Sequence, residues 1–206
     1  MEIKSEQIKN IETQNGVSRF KKRVSTRKIV YSALFTALIV IGSYITIDIQ
    51  PVPFTMQVPF VLLTSLLLGP VWGTVSIFAY IMLGLLGVPV FSSKGTAGIA
   101  YIFKPSFGYL IGFLFASVVI GVISNFKNND EFTSYQKMLF ANLIGICIIY
   151  AIGMGYMYLI MKLYLKFEIT AKKIFIFGFL IFLPKELIFI FLTAFLASKL
   201  KPYIKI

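Results

Sequence analysis

Histidine is absent from the chain, cysteine occurs once, at Cys147, and aspartate only at Asp48 and Asp130. That inventory supplies no histidine general base, no Cys/His zinc site and no disulfide framework. Acidic residues are scarce as a class, 8 against 20 basic ones in 206 residues, which gives a formal net charge of +12. Charged residues make up 14% and hydrophobic ones 58%, where soluble domains carry about 25% charged and about 45–50% apolar residues. A G-x-x-x-x-G-K-[ST] phosphate loop is missing, which excludes nucleotide hydrolysis by that route. Only Asp48 and Glu186 lie within membrane reach. Without a ladder of buried carboxylates, a proton-driven carrier is disfavoured. These absences point to an all-α integral membrane protein that binds without catalysing, with no metal and no cofactor of its own. Uphill transport would take its energy from a partner.

Charge placement divides the chain into a basic tail, residues 1–27, and a membrane domain, residues 28–206. The first 28 residues hold Lys4, Lys9, Arg19, Lys21, Lys22, Arg23, Arg27 and Lys28. A solvated segment that keeps the N-terminus cytoplasmic under the positive-inside rule is the simplest reading. Nothing else in the chain supports nucleic-acid binding. The charged region is too long for a signal peptide, and no small-residue cleavage site follows the apolar run.

Apolar runs cover residues 29–47, 54–68, 75–86, 109–123 and 139–161, and a sixth covers 174–198. A span needs about 20 apolar residues. The second and third runs are short and broken by Gly69-Pro70 and Gly87-Val88-Pro89, which is tolerated only where protein or a cavity covers the freed backbone. The last run reads either as one long span with an internal Pro184 or as a helix beginning at Pro184. In the second and preferred reading, residues 174–183 form an apolar surface or re-entrant segment, and Glu186 sits in a first turn where the dipole favours an anion. Six spans place both termini in the cytoplasm. Asp48, Lys94, Lys104, Lys162, Lys166, Lys172 and Lys173 then lie outside, more lysines than the positive-inside rule favours, and an anionic ligand would account for some.

The informative residues gather at the outer ends. Thr55 and Gln57 stand at the mouth of a span, where polar side chains pair with a neighbouring helix or with a ligand. Ser92-Ser93-Lys94-Gly95-Thr96-Ala97-Gly98 is a loop of small residues open to close approach by a guest, or a plain turn. Lys104-Pro105-Ser106-Phe107-Gly108-Tyr109 opens the fourth span with free N–H groups suited to a carboxylate. Lys185-Glu186 is a mutual ion pair or a water-exposed loop, or else a ligand contact. Ala33 and Ala37 form a small-x-x-x-small pair that lets another helix come close. Cys147 reads as a buried packing residue and Trp72 as an interfacial anchor.

In order along the chain, Val52-Pro53-Phe54-Thr55-Met56-Gln57, Leu66-Leu67-Leu68-Gly69-Pro70, Tyr80 with Gly84-Leu85-Leu86-Gly87-Val88-Pro89-Val90-Phe91, and Pro105-Ser106-Phe107-Gly108-Tyr109-Leu110-Ile111-Gly112-Phe113 resemble the BioY family. These are the biotin-binding S components of energy-coupling-factor (ECF) vitamin transporters. The last block is similar to the family's G-P-T-G-G-Y-L-x-G-F, and the resemblance runs from about Arg27 to Leu200.

The resemblance implies a six-helix, multi-pass protein of the bacterial cell membrane. It would capture biotin or a similar small carboxylate from outside and release it inward, driven by a coupling membrane subunit and two ATPases. Ala33 and Ala37 match the family's docking motif for the coupling subunit. The site implied is an outward pocket closed by the loops around 48–57, 88–104 and 162–185. Its residues would be Thr55, Gln57, Phe91, Ser93, Lys94, Lys104, Tyr109, Lys185 and Glu186. The last helix departs from the family's P-G-D-L-x-K. Pro184-Lys185-Glu186-Leu187-Ile188-Phe189 keeps a carboxylate at Glu186, an acceptor for a ureido N–H, but puts Phe189 where the lysine belongs, so Lys104 or Lys185 would replace the lost cation and meet the ligand carboxylate. Lipoate as the ligand, or a stand-alone channel or facilitator, are the alternatives.

Overall fold

The computed structural model describes residues 25–49, 51–92, 97–125, 134–167 and 170–204. The N-terminal tail up to residue 24, and with it most of the basic cluster, lies outside the described residues, as do Ser93 and Lys94. The elements are helix α1 (Thr26–Tyr44), a hairpin of strands β1 (Thr46–Ile47) and β2 (Phe54–Thr55), helix α2 (Gln57–Leu85), and a 3₁₀ turn (Ile99–Phe103). Helices α3 (Phe107–Asn125) and α4 (Ser134–Leu159) follow, the latter continued by a π turn to Tyr164. Helix α5 (Ala171–Phe175), a second π turn (Ile176–Leu180) and helix α6 (Leu183–Leu200) complete the chain. Five of these helical stretches are long and apolar enough to cross a membrane.

Polarity is arranged for lipid. Along α1 the buried face is Ser32, Phe35, Thr36, Ile39, Gly42 and Ser43, spaced three and four apart, whereas Ile29, Val30, Leu34 and Ile41 face outward. Small and hydroxyl-bearing side chains face the helix interface because they allow close approach and cross-helix hydrogen bonds, and lipid is as apolar as leucine. Thr36 accordingly donates to the carbonyl of Ser76 at 2.9 Å.

Helix α2 is two antiparallel arms. Gly69 has φ 74° and ψ −172°, a conformation essentially restricted to glycine, and Pro70 opens the second arm. The reversal is fixed by a hydrogen bond from Gln57 Nε2 to the Tyr80 hydroxyl. In a straight helix these residues would stand about 34 Å apart at 1.5 Å rise per residue. Arm lengths of 57–68 and 70–85 thus account for the two short apolar runs of the sequence. Helix α3 crosses the turn closely: a Cβ on Gly121 would lie 2.3 Å from Pro70 N. Gly112 likewise lets α3 reach the Ile149 backbone of α4, where a Cβ would stand 2.9 Å from Ile149 Cα.

Two expectations are corrected. The stretch before Pro184 is neither surface nor re-entrant. It is helical from Ala171 to Leu180 and passes through Ile181 and Phe182 in right-handed helical conformation into α6. Ile174, Gly178 and Phe182 are buried within it, so the run is one long helix broken by a π turn, with Pro184 in the first turn of its second part. Cys147 is exposed, not buried. It falls on the outward face of α4 beside Leu143, while Ile146, Ile149 and Tyr150 face inward.

Candidate functional site

At the end of the bundle that carries the β-hairpin, the chain surrounds a cavity with about 440 Å³ of atom-free space, mouth included. Each wall has a local cause. The hairpin pairs Thr46 with Thr55 and Ile47 with Phe54 and is pinned to α1 by Met56 N, which donates to the carbonyls of Gly42 and Ile45. That places Val52, Pro53 and Thr55 on the cavity. The α2 reversal brings Gln57 against Tyr80, whose hydroxyl donates to Val90 O at 3.2 Å. This holds the 88–92 segment close, with Ser92 on the wall. Pro105 ahead of α3 sets Ser106 facing Tyr101, with hydroxyls 3.1 Å apart. Tyr109, two residues into α3, donates to Gly178 O at 2.8 Å across to the π turn.

The floor is polar and charged. Lys185 Nζ lies 3.0 Å from Glu186 Oε1, with 7% and 0% of the two side chains exposed. The ammonium also donates to Thr55 O at 2.7 Å and stands 4.6 Å from the centre of the Phe54 ring. Tyr150 of α4 donates to the same Glu186 Oε1 at 2.8 Å. Glu186 Oε2 is buried and has no hydrogen-bond partner among the described residues. Among the described residues, Ser32, Thr46 and Asn142 carry the other buried side-chain polar atoms without a partner, and none of those residues lines this cavity. A carboxylate oxygen left in this state costs free energy comparable to a lost charged hydrogen bond, which a ligand N–H donor would recover.

Apolar cover completes the cavity. Phe182 stacks on Phe54 at 5.7 Å, Tyr150 meets Tyr109 edge-on at 5.7 Å, and Leu110, Phe113 and Val58 line the sides. A few fixed polar groups in an apolar surround is the usual construction of a small-molecule site. Among the described residues no group of three or more His, Cys, Asp or Glu could hold a metal ion.

Of the residues proposed from sequence, Thr55, Gln57, Tyr109, Lys185 and Glu186 meet in this cavity. Phe91 sits behind the wall, stacked at 4.1 Å on Tyr101, which does line it. Lys104 lies outside, on a second cavity shared with Asp48 and Phe167 and adjoining the first through Pro53 and Ser106. Partial burial pulls the Lys104 ammonium below its ordinary pKa, and the Asp48 charge raises it in part. Lys185 and Glu186 form the ion pair and also line the cavity, buried at the start of α6 and not in a water-exposed loop. Tyr150, Tyr101 and Phe182 were not identified from the sequence. The available signal for Tyr150 is a hydroxyl in an apolar span, which must find a partner.

On a different face, Ala33 and Ala37 line a shallow apolar groove with Ile29, Thr36, Val40, Trp72, Val75 and Leu83.

The model of the BioY family matches residues 15–206. A probable biotin transporter BioY of Lysinibacillus sphaericus is 37% identical over 179 residues, 87% of this chain and 89% of that protein. The biotin transporter BioY of Thermotoga maritima is 36% identical over 85% of this chain and 96% of its own length. A crystal structure of the S-component for biotin from an ECF-type ABC transporter superposes with a TM-score of 0.69 at 29% identity, over 85% of this chain and 90% of that one. With its hairpin-capped cavity, its reversed second helix and these matches along nearly its whole length, the chain belongs to the BioY family.

Proposed function

We propose that this chain is the substrate-capture subunit of an ECF-type vitamin uptake transporter and that its ligand is biotin. The observation that carries the reading is the unpartnered Glu186 Oε2 in the floor of a largely apolar cavity. Biotin brings two ureido N–H donors and an apolar bicyclic body, which answers both features. Lipoate has no N–H donor and would leave the carboxylate oxygen unsatisfied. Thr55, Gln57 and Tyr109 orient the polar edge of the ligand, and Phe91 supports the wall through Tyr101.

With the two arms of α2 counted separately, the chain crosses the membrane six times and leaves both termini in the cytoplasm. The cavity then opens outward and the basic tail, residues 1–27, lies inside. The groove over Ala33 and Ala37 receives a helix of the coupling membrane subunit, which with two ATPases supplies the energy that the chain has no residues to generate. Small residues at that spacing and an apolar rim support this docking role.

Saturable binding of labelled biotin to the purified chain, displaced by unlabelled biotin and not by lipoate, is the expected result. Absence of saturable binding at micromolar ligand would remove biotin as the substrate. Biotin flux into proteoliposomes lacking any ATPase module would instead make the chain a facilitator.

A further inference from the structure

Beside the pocket that holds Glu186 lies a second, outer cavity with about 1300 Å³ of atom-free space, open solvent included. Pro53 and Ser106 wall both cavities. Lys104 marks the same boundary, its Nζ 5.6 Å from the centre of the Tyr101 ring, which is part of the inner wall. The outer wall is built from distant parts of the chain. Phe103 of the 3₁₀ turn stacks at 4.8 Å on Tyr164 of the π turn that continues α4. Phe103, Leu165 and Phe167 make one side apolar, and Asp48 and Lys104 bring opposite charges to the same cavity. The Asp48 carboxylate acts on the Lys104 ammonium and favours its charged form. Neither residue lines the inner pocket, so the pocket proposed for biotin makes no use of this pair.

We propose that the outer cavity is a second ligand subsite that takes an α-amino-acid head, so that the chain binds amide conjugates of biotin with an amino acid, such as ε-N-biotinyl-lysine, as well as the free vitamin. This rests on the biotin reading and widens the substrate class of the same site. With the ureido group on Glu186, the acyl tail leads out past Pro53 and Ser106. Free biotin ends there in a carboxylate. In biotinyl-lysine the acyl carbon continues through an amide and an aliphatic chain to an ammonium and a carboxylate held on one carbon. The aliphatic chain packs on Phe103, Leu165 and Phe167, and the zwitterion lies head to tail along the Asp48 and Lys104 pair. The ligand ammonium then stands beside Asp48 and the ligand carboxylate beside Lys104. A head of a single charge would set one like charge beside it, which opposes its ionised form. The inner cavity, with about 440 Å³ of atom-free space, is near the lower end of the roughly 300–1000 Å³ typical of small-molecule sites, so an extended ligand needs the outer one.

The test is competition against labelled biotin on the native chain in lipid nanodiscs, using ε-N-biotinyl-lysine and biotin N-hexylamide. The hexylamide carries the same amide and a tail of similar length without the charges. Biotinyl-lysine displaces labelled biotin and binds about fivefold or more tightly than the hexylamide, the contribution of ion pairs in a partly exposed setting. A preference below that margin, or no displacement by biotinyl-lysine, overturns the proposal. Asp48→Asn removes the partner of the ligand ammonium and lowers the preference by about twofold or more; a smaller change also overturns it. The preference is a ratio within one preparation, so a general loss of stability does not move it. Should the variant fail to fold, the two conjugates on the native chain decide alone. Failure of the native chain to bind labelled biotin removes the biotin reading together with the subsite, whereas biotin binding without preference for biotinyl-lysine over the hexylamide removes the subsite alone.

Discussion

Tyr150 of α4 donates a 2.8 Å hydrogen bond to Glu186 Oε1 of α6, joining the two helices through residues 36 apart in sequence at the cavity. The bond occupies one carboxylate oxygen, while the other, Oε2, is buried without a hydrogen-bond partner among the described residues. It also sets the rotation of the carboxylate, because the Lys185 ammonium approaches the same Oε1.

Tyr150→Phe removes that bond and keeps the ring that packs against Tyr109 and Phe182. A hydrogen bond to a charged group contributes about 1.5–3 kcal/mol, so biotin affinity falls by roughly tenfold to a hundredfold. Thermal stability in detergent falls as well, because the bond exists without ligand, while the retained aromatic packing keeps the chain folded. Isothermal titration beside a melting curve separates the two effects.

Gly69→Ala acts on the fold and not on the site. A side chain at φ 74° and ψ −172° is strained, and its Cβ would stand 2.5 Å from Asn125 Nδ2. Strain of about 1–3 kcal/mol is expected. The measurement is a lowered melting temperature of the purified protein, with biotin affinity retained at temperatures where the chain stays folded.

Ala33→Leu together with Ala37→Leu fills the groove on α1 without reaching the cavity, whose wall contains no α1 residue. Binding of biotin by the isolated chain is retained. Uptake in cells that express the coupling module falls severely, and co-purification of the coupling subunit is lost. Loss of binding together with uptake would instead mean that the substitutions disturb the fold.

Much of this was readable in the sequence, for physical reasons. Gly69-Pro70 between two short apolar runs marks the reversal, because the turn needs a glycine conformation and a proline tolerates the first position of the next arm. Thr55, Gln57 and Glu186 stood out as polar groups in apolar surroundings, and the structure brings them together. The continuity of residues 171–183 with α6 was not readable, because a proline in an apolar run is compatible with either a helix start or a break. Nor was Tyr150, whose ring suits lipid, core or site equally; only the packing of α4 on α6 reveals that its hydroxyl meets a carboxylate. The separation of Lys104 from Lys185 likewise depends on where Pro105 turns the chain. Cys147 was misplaced because an apolar helix in lipid buries its small and polar face, and hydrophobicity alone does not tell the two faces apart.

Glu186 is the residue on which the account turns, and equilibrium titration of labelled biotin against the native chain and Glu186→Gln tests it most directly. The glutamine keeps the volume and replaces the free carboxylate oxygen with an uncharged amide. The account predicts saturable binding of one biotin per native chain, and an affinity lower by about tenfold or more in the variant. Equal affinity in the two proteins, or no saturable binding by the native chain at micromolar biotin, would contradict it.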